Sequence, residues 1–211
     1  MAQIVRFPAS PSTTISSDFL HQIEAVKAMS LLEGLTYKEI PTPRCVADYG
    51  FGVELVVESD AKPDAVGEAQ AMPDDSVSSL TGWILVNYSV SYRQDWDSHW
   101  RCTGYFRQPR VSVNESSLVT QMYWDYAYEL LTPLAVGSVN GAATKAENEF
   151  FDSVSSRDLS APVASCEMRS SWSPLLVEGE TNMPSHITAW GELMLKAAGK
   201  RIELRERKAS L

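Results

Sequence analysis

The sequence predicts an α+β fold, built as an antiparallel twisted sheet of about five strands with helices on one face. Two patterns predict it. Segments with strand character alternate apolar and polar residues, which leaves one sheet face apolar and the other polar. Segments with helical character occur singly between runs of strands, an order typical of α+β domains and not of parallel sheets. The predicted order is α-β-β-β-α-β-β-α.

The first helix is predicted to begin at Ser16 or Ser17, because serine caps helices well, and to end at Gly34. Apolar residues recur within this segment at helical spacing. Pro41 and Pro43 then indicate an extended segment. The sequence therefore predicts one helix and one extended connection before the sheet begins.

Three strands are predicted next. Residues 49–58 carry apolar residues at every second position, with Glu54 on the opposite face. Residues 83–93 and 100–108 also alternate, and a polar turn at residues 94–98 joins them. We therefore expect these two strands to form a hairpin.

The middle helix is predicted to begin at Ser116 or Ser117 and to end at Leu131, before Pro133. This segment is apolar nearly all round. A helix of that kind is expected to be buried on more than one side.

The last third of the chain is predicted to hold two strands and a helix. Asn140-Gly141 indicates a turn. Strands are predicted near residues 143–153 and 163–172, and a helix over residues 184–198, where a proline occupies the favoured first position.

Two tryptophans are predicted to join the last strand to the last helix. Trp172 and Trp190 fall at inward positions, as do most of the six tryptophans, so core packing is favoured over a base-stacking or sugar-binding surface. His186 and Glu192 are expected on the helix surface.

The chain of 211 residues is long enough to bury a sizeable core, and a single domain is expected over residues 16–199. Residues 1–15 are predicted to form a mobile arm. Residues 60–78 are acidic and contain two prolines, which predicts a flexible insertion. Residues 200–211 form a basic tail.

Composition excludes several classes of function. A net charge of −9 argues against generic nucleic-acid coating. Three widely spaced cysteines without a CxxC pair argue against a disulfide framework or a zinc knuckle. The chain shows no signal peptide and no apolar run of membrane-spanning length, so a reducing cytoplasm is the expected compartment.

No specific catalytic or cofactor motif is present in the sequence. Phosphate-binding, dinucleotide-binding, serine-hydrolase and metalloprotease patterns are all missing. The three histidines lie on separate predicted elements, so neither a metal site nor a cofactor is expected.

The polar face of the sheet is the main candidate binding surface. Ten residues are predicted to point to this side: Glu54, Glu58, Asn87, Ser89, Arg101, Thr103, Tyr105, Arg107, Glu167 and Arg169. Three arginines and a tyrosine on strands could hold an acidic peptide or phosphates. The alternative is a solvated face with cross-strand Glu–Arg pairs.

The hairpin loop from Asp95 to Arg101 is the second candidate surface. It crowds two acids, a histidine and two indoles into seven residues. One interpretation is a ligand-binding tip that includes Trp96. The other is a turn favoured by its acids, with Trp96 and Trp100 holding it to the core. From both surfaces together, the candidate binding residues are Trp96, Arg101, Tyr105, Arg107, Glu167 and Arg169.

Several short motifs together carry a family resemblance from about residue 47 to residue 199. They are Tyr49-Gly50-Phe51 with Glu54, residues 82–86, Trp96, Trp100-Arg101, Trp124, Glu167-Met168-Arg169, Ser171-Trp172-Ser173-Pro174, Ala189-Trp190-Gly191-Glu192-Leu193 and Ala197-Ala198-Gly199. With these motifs the chain resembles an actinobacterial family catalogued as domain of unknown function number three thousand. It departs from that family at Asn114-Glu115-Ser116-Ser117, where an Asp-Pro is usual. Serine replaces that pair adequately as a helix cap.

The resemblance implies a cytosolic protein without an assigned activity. Members of that family are often encoded beside a ribonuclease D-like exonuclease, which suggests work linked to RNA. The order of elements also resembles that of secretion-chaperone-like domains, an analogy of fold that does not establish function.

The leading functional hypothesis from the sequence is a non-enzymatic protein-binding or adaptor domain that uses the polar sheet face. A protein partner is expected, and a second copy docking through the sheet face is one candidate. The alternative is an RNA-associated accessory protein acting with a ribonuclease. A third hypothesis is a small-molecule enzyme in which carboxylates such as Glu54 and Glu167 converge in a pocket.

Overall fold

A computed structural model describes residues 16–43, 46–58, 79–112, 116–148, 163–176 and 182–200. Their elements are α1 (Ser17–Ala28), β1 (Leu35–Ile40), β2 (Tyr49–Val57), β3 (Thr81–Arg93), β4 (Ser98–Ser112), α2 (Ser116–Leu131), a 3-10 turn (Thr132–Leu134), β5 (Ala135–Asn148), β6 (Val163–Pro174) and α3 (Met183–Ala197). The predicted arm, insertion and basic tail lie outside the described residues, apart from Lys200.

The strands form a single six-stranded sheet in the order β1-β2-β3-β4-β6-β5, and every neighbouring pair is antiparallel. The predicted hairpin is confirmed as β3 and β4. The helices α1, α2 and α3 pack on one side of this sheet. The fold is therefore α+β, as the sequence predicts, with one strand more than expected.

The additional strand is β1, which lies in the stretch that the sequence prediction treated as an extended connection after the first helix. Helix α1 ends at Ala28, six residues earlier than predicted. Gly34 then adopts a φ of 83°, and its carbonyl accepts a hydrogen bond from the amide of Glu58 at 2.8 Å. The left-handed glycine reverses the chain so that β1 pairs along the edge of β2.

Strand β5 begins at Ala135, eight residues before the predicted start, and Asn140-Gly141 lies inside it instead of forming a turn. The β5–β6 register shifts between Val136 and Asn140. A Cβ atom on Gly141 would lie 2.1 Å from the carbonyl oxygen of Arg169. Glycine is therefore required here for close strand approach beside a bulge, and not for chain reversal.

The core lies between the sheet and the helices. Phe106 of β4 contacts Tyr123 of α2 and Trp190 of α3, with ring centroids 4.9 and 5.7 Å apart. Trp190 also stacks on Trp172 of β6 at 5.8 Å, and both indoles are fully buried. The predicted junction between the last strand and the last helix is confirmed.

Two predictions about the helices are wrong. Helix α2 is buried on one side only, because Leu118 and Tyr128 are 64% and 72% exposed. His186 lies in the core and not on the surface of α3: it is 0% exposed, and its Nδ1 accepts a hydrogen bond from Trp172 Nε1 at 3.1 Å. The hydrogen bond satisfies Nδ1 of the buried ring. Because its partner lies on another element, the periodicity of apolar residues along α3 does not indicate that His186 is buried.

Candidate binding face

The sheet has a second face, which we call the outer face, on the side opposite the helices. Its central row crosses five strands at one level, because the strand registers pair its members in turn: Lys38, Glu54, Trp83, Tyr105 and Arg169. Within the described residues, no helix packs on this row. The predicted polar face therefore exists at the level of the central row, whereas Asn87 and Ser89, which were also predicted to point to this side, are buried.

Two aromatic rings form the middle of the central row. Trp83 of β3 stacks on Tyr105 of β4, with centroids 5.5 Å apart and planes inclined by 29°. The guanidinium of Arg169 lies over the tyrosine ring, 5.4 Å from its centroid. Tyr105 thus contacts both an indole and a cation, and its hydroxyl donates a hydrogen bond to the Glu167 carboxylate.

Glu167 connects the arginines of this surface. Its carboxylate lies 3.7 Å from Arg107 Nε and 3.8 Å from Arg169 Nη2. Burial and the charge of Glu167 raise the pKa of Tyr105. The two ion pairs are long and largely exposed, so each stabilises the fold by well under about 1 kcal/mol. The arginines are free to exchange these contacts for others.

Arg101 lies on the same face of β4, four residues before Tyr105. Its guanidinium donates hydrogen bonds to the hydroxyls of Ser171 at 2.7 Å and Ser173 at 3.3 Å. Among the described residues no carboxylate lies within ion-pair distance of it. Serines fix this arginine in place, so its charge is less available to move than that of Arg169.

Trp96 lies apart from the cluster of Tyr105, Arg107, Glu167 and Arg169, whereas Arg101 is connected to Trp96 through the hydroxyl of Ser173. Trp96 is 9% exposed at the β3–β4 hairpin, and Arg93 lies 4.9 Å from its ring centroid. Its carbonyl accepts a hydrogen bond from Ser173. These contacts favour the interpretation in which Trp96 holds the turn to the body of the domain.

One end of the outer face is covered by Thr42, which follows β1. A Cβ atom on Gly50 would point outward and meet Thr42 Oγ1 at 3.0 Å and Asn87 Oδ1 at 3.3 Å. Thr42 and Asn87 are 5% and 3% exposed. The accessible part of the outer face therefore lies on the other side of this point, around the central row.

Trp83 belongs to the central row but was not among the residues predicted for the polar face. Most tryptophans were expected in the core, because tryptophan is highly buried on average. The alternation along β3 gives the correct answer, because Trp83 has the parity of Leu85 and Asn87, whose ladder partners are outer-face residues of β4. Parity was the available signal.

The carboxylates of Glu54 and Glu167 do not converge. They lie on β2 and β6, and both β3 and β4 stand between those strands. Glu54 contacts Lys38 at 3.6 Å, and Glu167 contacts the two arginines. This arrangement provides no paired acid and base at that position.

The described residues contain no group of three or more His, Cys, Asp and Glu side chains with metal-site geometry. Burial also raises the pKa of the Cys102 thiol, which opposes formation of a reactive thiolate.

A separate apolar cleft lies on the helix side of the sheet. It has a volume of about 220 Å³ and runs between α1 and the β1–β2 hairpin. Val26, Met29, Tyr37 and Val53 are among its lining residues. The cleft is smaller than most small-molecule sites, which span roughly 300–1,000 Å³.

Comparison of the chain with known proteins identifies its family, whose function is unknown. Neither the curated proteins nor the solved structures contain a match. In the parts of the chain described here, every helix is too short or too polar to cross a membrane. A family model described as "Protein of unknown function (DUF3000)" matches residues 15–203. The chain belongs to that family.

Proposed function

We propose that this protein is a non-enzymatic binding or adaptor domain and that the outer face is its protein-binding surface. The observation that carries the proposal is the central row, in which Trp83, Tyr105 and Arg169 stand side by side on a face that none of the three described helices covers. Tryptophan, tyrosine and arginine are the residue types that dominate the energetics of protein interfaces.

The geometry of the rings favours a protein over RNA. Single-stranded nucleic acid binds by stacking bases on the faces of aromatic side chains. Here the ring of Tyr105 already contacts the Trp83 indole and the Arg169 guanidinium. A base stacked on Tyr105 would compete with these two contacts, whereas a protein side chain can pack beside the three groups and leave them in place.

The test is recovery of bound protein from lysate of the source cells, using tagged wild-type protein and single variants. Arg107→Glu and Arg169→Glu each reverse one charge of the outer face. Lys27→Glu makes the same charge change on the exposed surface of α1 and serves as the control. The proposal predicts a partner that the two outer-face variants lose and the control retains.

Equal recovery of every partner by all three variants would contradict the proposal. Thermal unfolding of each variant shows whether its fold is intact. If the outer-face variants instead lose a salt-dependent association with RNA, the outer face binds RNA and the alternative function is correct.

A further inference from the structure

We infer that the partner of the outer face is a second copy of this chain, docked face to face about a two-fold axis parallel to the strands. This inference rests on the proposed function and names the occupant of the same surface. It is carried by the order of charges and rings in the central row.

The central row is complementary to itself. Strands β3 and β4 are the two middle strands of the six, so the midpoint of the sheet falls between Trp83 and Tyr105. A two-fold axis along the strands at this midpoint exchanges left and right. It places Trp83 against Tyr105 of the second copy and Glu54 against Arg169 of the second copy. The symmetry forms each of these contacts twice.

The charges also exclude the other simple arrangement. A two-fold axis across the strands, along the row itself, would place Glu54 against Glu54 and Arg169 against Arg169. Like charges held together in an interface are unfavourable. The pattern therefore selects one orientation, and sheets that pack face to face with nearly aligned strands are a common arrangement.

Glu54 and Arg169 are both accessible for this contact. Their side chains are 40% and 72% exposed. Glu54 pairs with Lys38 at 3.6 Å, and Arg169 pairs with Glu167 at 3.8 Å and lies over the Tyr105 ring. Such exposed pairs are weak and can be exchanged for a contact across the interface.

The centre of the outer face carries charges of both signs. Lys38, Arg107 and Arg169 lie there beside Glu54 and Glu167, so a partner of a single sign would meet like as well as opposite charges. A surface of mixed sign fits a surface with the same pattern reversed, which the two-fold operation supplies.

The dimensions suit a dimer of moderate strength. Six strands about 4.8 Å apart and three levels about 6.8 Å apart, those of Thr103, Tyr105 and Arg107, give a face of roughly 29 by 20 Å, or about 600 Å². Stable interfaces bury about 800 Å² on each partner. We therefore expect an association that dilution can reverse.

The test measures molar mass by light scattering and sedimentation over a series of concentrations up to about 200 μM, a range suited to affinities in the micromolar region. The variants are Glu54→Arg, Arg169→Glu and the double variant. Glu24→Arg and Lys27→Glu make the same charge changes on α1, as matched controls. We expect the wild type and both controls to dimerise, and each single outer-face variant to dissociate at least tenfold more readily.

The double variant distinguishes the loss of an interface contact from a simple loss of folding. Within one chain, positions 54 and 169 are three strand spacings apart, about 14 Å, so the exchanged charges cannot meet there. Restored dimerisation in the double variant can arise only across the interface. A wild type that is monomeric at every concentration, or single variants that dimerise like the wild type, would overturn the inference.

The two proposals fail in different ways. If the wild type is monomeric, yet Arg107→Glu and Arg169→Glu lose a different protein in the recovery experiment, the second copy is excluded and the outer face remains a protein-binding surface. If neither assay responds to the outer-face variants, both proposals are wrong.

Discussion

His186 should lower the free energy of unfolding in mild acid, and the burial of its ring determines the size of the loss. The ring is fully buried, and because its Nδ1 accepts a hydrogen bond from Trp172, the proton of the neutral ring resides on Nε2. Nε2 is a buried atom without a hydrogen-bond partner among the described residues. Burial lowers the pKa of His186 from 6.5 to about 4.

The direction of the pH effect follows from this lowered pKa. The folded protein keeps His186 neutral, whereas the unfolded chain binds a proton below about pH 6.5. The free energy of unfolding is therefore fully retained above pH 6.5. It falls between pH 6.5 and pH 4, by about 3 kcal/mol in all, because each pKa unit corresponds to about 1.4 kcal/mol. Between pH 7.5 and 5.5 the expected loss is about 1 to 2 kcal/mol.

Urea unfolding at these two pH values, followed by tryptophan fluorescence, measures the loss. In His186→Gln the residue no longer titrates, and its amide oxygen can accept the hydrogen bond from Trp172. We expect this variant to lose about 1 to 2 kcal/mol less than the wild type over the same range. The control is His21→Gln on the exposed surface of α1, which should behave like the wild type.

Equal losses in the wild type and His186→Gln would refute the reasoning. Titration of the His186 ring by NMR gives an independent check, and a midpoint near 6.5 would show that the ring is accessible to water.

Three further outcomes test the packing. A Cβ atom on Gly104 would lie 2.5 Å from the Trp190 indole, so Gly104→Ala should lower the free energy of unfolding by about 1–3 kcal/mol. Calorimetry should show that cost largely removed in a Trp190→Leu background. Cys102 and Cys166 are buried free thiols, and peptide mapping should find them alkylated only after unfolding. Leu118→Ser, at an exposed position of α2, should change stability by less than about 0.5 kcal/mol in urea titrations.

The parts of the fold that depend on alternation could be predicted from the sequence. The parity of residues in β2, β4 and β6 assigns Glu54, Tyr105 and Arg169 to one face. Parity is a local property, and it survives into the folded sheet because a one-residue slip would expose the whole core face. Their meeting in a single row depends instead on strand order and register, which are set by contacts between distant segments.

The errors also have physical causes. The sequence prediction missed strand β1 because the chain reverses at Gly34. A glycine after a helical segment is more readily interpreted as the end of a helix. His186 was placed on the surface because its compensating partner, Trp172, is remote in the sequence. Long-range hydrogen bonds of this kind leave no local pattern.

Mixing two charge variants tests whether the outer face is a binding surface. Glu54→Arg and Arg169→Glu are each expected to be monomeric alone, since each sets like charges against each other in the two-fold arrangement. In an equimolar mixture the charges become complementary at both contacts. Sedimentation should then show a mixed dimer at concentrations where neither variant associates by itself. A mixture that sediments as monomers throughout, or variants that dimerise alone as strongly as the wild type, would contradict the account.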